Sequence, residues 1–165
     1  MDTGSKKMNS IPSLSNYRDW FKKAQSNFEK LADSDDIYDF VDCLLTLNAL
    51  PEWIYKSDDA PEKLRLLAEE KVKKMKGNDN RFNFDEDKLD EDIDHQLRFI
   101  RLFCNHAKHG EKKTIPLIVK EFGGIFPATF PIEFKMIIKI GEKKVNAKHL
   151  ISSVIAFWEG KISEI

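Results

Sequence analysis

Residues 90–110 read DEDIDHQLRFIRLFCNHAKHG, and their spacing decides the fold class. At about 100° per residue, Ile93, Leu97, Ile100, Cys104 and Ala107 fall on one side with Phe103, a core-facing apolar stripe. Asp94, Arg98, Arg101, Asn105 and His109 fall within an arc of roughly 60° elsewhere, forming a polar ridge. His106 points away from that ridge, beside Phe99 and Leu102. The acidic run DEDKLDEDID suits the positive end of a helix dipole, and Gly110 supplies a stop. Together these signals predict one long helix over 85–109.

The same period recurs on both sides of this segment. Upstream, NYRDWFKKAQSNFEKLAD places Tyr17, Trp20, Phe21, Ala24, Phe28 and Leu31 at spacings of three and four, a first helix. A second has the body IYDFVDCLLTLNAL, with Ser34 and Asp35 as candidate caps. Pro51 is expected to break or kink it, since proline has no amide to donate, with Trp53 buried beyond the break. A third helix opens at Asp59-Ala60-Pro61 and runs to Gly77. Its Lys71, Lys73, Lys74 and Lys76 read as solvated cations that complement the dipole, with a phosphate-binding patch as the alternative.

GNDNRFNF follows as a polar loop. Past Gly110 the period shortens: TIPLIVKEF and PIEFKMIIKI are short and rich in β-branched residues, with GEKK as a turn. Asn146 is the expected cap of a last helix, with Leu150, Val154, Phe157 and Trp158 facing inward. The fold class is therefore mainly α: about five helices in an up-down bundle with a small β-hairpin near residues 115–145.

Composition narrows the function. The chain has 165 residues, with 27 basic against 28 acidic side chains, so a dominant polyanion-binding surface is not expected. Twelve Phe and three Trp supply more apolar surface than a disordered chain carries. Residues 1–13 read as a mobile leader and 14–165 as a single helical domain. Cys43 and Cys104 lie inside apolar patterns and read as buried free thiols. The first ten residues lack the apolar centre of a signal peptide, and no run approaches a membrane span, so a cytoplasmic protein without membrane contact is expected. None of the common nucleotide-binding or nucleophile-elbow motifs occurs.

Within the ridge, Arg101-Leu-Phe-Cys-Asn-His106 resembles the Arg-x4-6-His pattern of HEPN domains. These are helical proteins often encoded in bacterial toxin-antitoxin and defence systems, and many are metal-independent RNases that act as dimers. Asn105-His-Ala-Lys108-His109, with Leu50-Pro51-Glu52-Trp53 earlier in the chain, is also similar to small uncharacterised bacterial helical proteins. The HEPN resemblance implies RNA transesterification at a composite homodimer site. His106, or His109, would move the proton of a ribose 2′-hydroxyl or of the leaving oxygen. Arg101 would stabilise charge on the phosphoryl oxygens, and Asn105 would orient the phosphate or the imidazole. Arg98 and Lys108 are candidate phosphate contacts.

The residues themselves leave other readings open. Arg98 or Arg101 paired with Asp94, and His109 on the last carbonyls of its own helix, would make a structural network. Cys104, His106 and His109 have zinc-ligand chemistry, but the helix turns Cys104 away from His109, so neither metal nor cofactor is expected. His95 and His149 read as surface or capping histidines. FGGIFPATFP, with Phe122, Phe126 and Phe130, could lid a small-molecule pocket. Extra apolar positions on the last helix, Ile151, Ile155 and Ile162, suggest a homodimer. The leading expectation is a helical interaction or regulatory protein of a defence or toxin-antitoxin module, with RNA or a protein as partner; the alternative is the HEPN-like RNase.

Overall fold

Asn16 opens the first helix, its side-chain oxygen accepting the Asp19 amide at 2.9 Å and satisfying a donor that a first turn leaves unpaired. In this computed structural model residues 13–109, 117–122 and 134–164 are described, with 107–109, 117–122 and 134 as backbone alone. Helix α1 spans Tyr17–Ser34 and buries Tyr17, Ala24 and Leu31, with Trp20, Phe21 and Phe28 packed beside them. Asp35 ends it in the left-handed region at φ 52°. That residue is consumed by the link, so the cap of the next helix falls at Asp36, whose carboxylate accepts the Tyr38 amide at 2.7 Å.

Helix α2, Ile37–Tyr55, overturns the break expected at Pro51: it continues through the proline. Proline removes one ladder bond, which the surroundings offset. Pro51 and Ile54 are buried, and Trp53, only partly buried, stacks on Trp20 with ring centres 5.5 Å apart. The Lys56 amide then closes the end on the Glu52 carbonyl at 3.0 Å. Helix α1 lies antiparallel to α2, since Lys23 meets Thr46 and Lys30 meets Asp39.

Helix α3, Glu62–Lys76, starts just after Pro61 and stops at Gly77, whose φ of 74° a side chain would strain. The Gly77 and Asn78 amides return to the Lys74 and Lys73 carbonyls. Helix α4, Ile93–His109, begins later than the expected residue 85. Asp85 caps only a single 3-10 turn, Glu86–Lys88, and Asp92 makes a second cap by accepting the Asp94 amide at 2.9 Å. Between them Leu89 is fully buried, and its carbonyl accepts the Gln96 side chain at 3.0 Å, which pins a bend where the acidic run alone suggested continuous helix.

Strands β1 (Leu117–Phe122), β2 (Phe134–Ile140) and β3 (Lys143–Asn146) form an antiparallel sheet in that order. The expected hairpin is present and gains a third strand, because the lysines of GEKK pair with Ile140 and Lys139 and leave Gly141 and Glu142 as the turn. Met136, Ile138, Ile140 and Val145 point to the core, the period-two pattern of a half-buried sheet.

Helix α5, Ala147–Ser163, is capped as expected: Asn146 accepts the His149 amide at 3.0 Å. Its Ile151 and Ile155, read above as surplus for self-association, are buried within this chain alongside Leu150, Val154 and Trp158. The helix packs on α1, α2, α4 and on β2 and β3, and a stripe with that many neighbours must be wide. Among the described residues no helix is long and apolar enough to cross a membrane. The expected leader up to residue 12, Phe126 and Phe130, and the Phe122 side chain lie outside the described residues.

Candidate functional site on the fourth helix

The first turns of α4 run beside the last turns of α3, and this proximity decides the fate of the ridge. Asp94 is bound from both sides, by Lys71 and Lys74, each at 2.7 Å. Its ion-pair partners are thus these lysines and neither Arg98 nor Arg101, which corrects the pairing in the network reading of the ridge. Burial opposes its charge, but the two ammonium groups outweigh that and hold its carboxyl below the ordinary carboxylate range. Lys71 is only 7% exposed and also lies 5.5 Å above the Phe157 ring, joining α3, α4 and α5 at one point.

Arg98 is engaged one turn further along. Its guanidinium donates to the Met75 carbonyl and lies against Gly77, so it serves the unpaired carbonyls at the end of α3. Burial, with Arg101 nearby, pulls its pKa down. The α3 lysines are likewise partnered: Lys73 with Glu69, Lys74 with Glu70 and Asp94, and Lys76 with Glu52 at 3.0 Å. They form inter-helix and intra-helix ion pairs rather than an open phosphate patch.

The ridge thus divides in two. Asp94 and Arg98 belong to the α3–α4 contact. Arg101, Asn105 and His106 are each half-buried on the next turns of α4. The Nε of Arg101 is buried without a hydrogen-bond partner among the described residues. Its charge acts on Glu52, whose carboxyl is held below the ordinary range chiefly by the Lys76 hydrogen bond, with Lys56 and Arg101 adding to it. Asn105 follows Arg101 by four residues and so shares its helix face, whereas His106 is rotated away by about 140°. The side chains of Lys108 and His109 lie outside the described residues.

Cys104 and Cys43 are buried free thiols, as expected, and burial pushes each up to about 12. Among the described residues no group of three His, Cys, Asp or Glu side chains is placed to hold a metal ion.

His95 was misjudged from sequence. It is 5% exposed, with its Nδ1 accepting the Asp85 amide at 2.9 Å and the Phe82 and Phe84 rings against it. The signal was present in RFNF, two aromatics inside an otherwise polar loop. Two surface clefts lie away from the ridge. One, of about 630 Å³, is floored by Trp53 between the start of α1 and the end of α2; the other, of about 470 Å³, lies between α3 and α5 around Leu66. Comparison with known proteins found no matching family model, no matching curated protein and no matching solved structure.

Proposed function

We propose that this chain is a compact helical interaction or regulatory protein, of the kind that works in the cytoplasm within bacterial defence or toxin-antitoxin modules. The observation that supports this reading best is the engagement of the ridge. Asp94 is held by two lysines and Arg98 by the end of α3, so two of its planar or charged groups serve packing rather than a ligand. A protein that meets partners through its surface needs a rigid helical frame, and these latches supply one.

A second reading, the HEPN-like RNase, is favoured by Arg101. It shares a face of α4 with Asn105 one turn away, and its Nε, like that of Arg65, is buried without a partner among the described residues. In that reading a homodimer brings two motifs together and Arg101 stabilises the phosphoryl oxygens while His106 or His109 moves the proton. Lys108 contacts phosphate; Arg98, engaged by α3, is withdrawn from that role.

The deciding experiment incubates purified protein with a mixed RNA pool, alongside Arg101→Ala and with a chelator present. The interaction reading expects no cleavage, or trace cleavage equal in both proteins. Cleavage that the wild type performs and Arg101→Ala abolishes would replace it with the RNase.

A further inference from the structure

Helix α2 packs on α1, α3, α4 and α5, yet one of its faces stands open. At about 100° per residue, Ile37, Tyr38, Val41, Leu45 and Tyr55 fall within an arc of roughly 100°. Tyr38 is 77% exposed, Leu45 47%, and Ile37 and Tyr55 39% each, while Val41 is half-buried between them. Four of the six large apolar side chains that stand open among the described residues are therefore on this one helix face. Ile37, Tyr38, Val41 and Leu45 form one patch about 12 Å long, at 1.5 Å per residue, and Tyr55 stands apart from it beyond the half-buried Asn48 and Glu52 on the same face. Scattered apolar side chains need no explanation, but four gathered on adjacent turns of one face do.

The charges beside the patch indicate what covers it. The end of α1, its link to α2 and the first turns of α2 carry Asp33, Asp35, Asp36, Asp39 and Asp42, of which Asp39 is buried. Their ion-pair partners in the described fold are Lys30, on Asp39, and Lys148, on Asp35. This end of the face is thus strongly acidic. A second copy would bring the same acidic excess, and the lysines at the far end of the face, Lys56 and Lys76, are already drawn to Glu52.

We propose that the open face of α2 binds a cationic amphipathic helix of another protein. Its apolar side chains would pack along Tyr38 and Leu45 and its lysines or arginines would flank Asp36 and Asp42, one amphipathic helix laid against another through i, i+4 and i+7 anchors. A helix of about 18 residues, five turns, covers the patch and leaves turns on either side for the flanking charges. This inference rests on the interaction-protein reading and names the partner class.

The probe is a synthetic 18-residue peptide with leucines at i, i+4, i+7 and i+11 and lysines on its flanks, and a second peptide with glutamates in place of the lysines. Fluorescence anisotropy against the full chain at low salt should show saturable binding of the lysine peptide and none of the glutamate peptide. Leu45→Lys should weaken the lysine peptide at least tenfold. Leu66→Lys, the same charge change at an open leucine on α3, should weaken it less than twofold. Both sites are exposed, and matching circular dichroism confirms that both variants fold.

Equal weakening by the two variants would mean charge alone attracts the peptide, and it overturns the proposal, as does an absence of saturation. Sedimentation in which the wild type dimerises and Leu45→Lys is monomeric overturns it in favour of a second copy. The RNA assay keeps the two readings apart: cleavage that depends on Arg101 removes the interaction reading whatever the peptide does, and a failed peptide without cleavage removes only this face.

Discussion

Replacing Asp94 with alanine tests whether the α3–α4 latch carries stability. The carboxylate holds Lys71 and Lys74 at 2.7 Å each, and both lysines are largely shielded from water. Truncation leaves the Lys71 ammonium at 7% exposure with only the more distant Glu70, 3.9 Å away, and the Phe157 ring. Breaking a buried pair from one side costs about 3–5 kcal/mol, and the residual exposure of Asp94 places this one near about 3 kcal/mol. With a urea slope of roughly 2 kcal/mol/M, the midpoint should fall by about 1.5 M at unchanged slope. The pH dependence has a fixed sign. Because the folded carboxyl lies below its unfolded value, near ~3.9, the contribution is complete above that value and is lost as pH falls through the folded one. The gap between wild type and Asp94→Asn should therefore shrink below about pH 4. A loss under about 1 kcal/mol at pH 7, the range of exposed pairs, would refute the latch.

Gly77→Ala should cost about 1–2 kcal/mol, because φ is 74° and an added Cβ would lie 3.0 Å from the Arg98 guanidinium. In an Arg98→Ala background the clash is absent, so urea titrations of the double-mutant cycle should show a smaller cost; additivity would argue against the close approach. His95→Leu removes the acceptor of the Asp85 amide, so hydrogen exchange at Asp85 should quicken at least tenfold, with about 1–3 kcal/mol of stability lost. Cys43 and Cys104, buried and pushed up to about 12, should resist a disulfide reagent at pH 8 in the native protein and react together in urea; rapid native labelling would contradict their burial.

Periodicity carried most of the architecture. The stripes of α1 and α5, the Asn146 cap and the Gly77 stop were readable because each depends on neighbours within a few residues, and the hairpin because its runs are short and rich in β-branched residues. Pro51 was not, since its burial, and the stacking of the neighbouring Trp53 on Trp20 more than thirty residues away, are tertiary features the local sequence does not show. The late start of α4 escaped notice for a similar reason: burial of Leu89 is a tertiary event that acidic composition conceals. For the candidate site, sequence located the polar ridge on α4 but could not tell which side chains α3 would occupy. A helical wheel ranks residues on one helix by angle and is silent about the lysines of the next. His95 shows the same limit, as its acceptor role depends on a loop amide ten residues before it.

The contact between α5 and α1 has a consequence for how the chain comes into being. Lys148 reaches back to the Ala32 carbonyl at 3.2 Å and pairs with Asp35, across 116 residues of sequence. On a ribosome adding about 5–20 residues per second, α1 and α2 wait on the order of ten seconds before α5 emerges to join them. Throughout that interval the surfaces that Leu150, Val154 and Trp158 will cover stay wet. The antiparallel α1–α2 hairpin, with Asn27 and Lys23 tied to Thr46, is joined by α3 and α4 in the meantime, and this incomplete bundle must persist until α5 arrives. A newborn chain stalled before residue 147 would thus present its unfinished interior to chaperones.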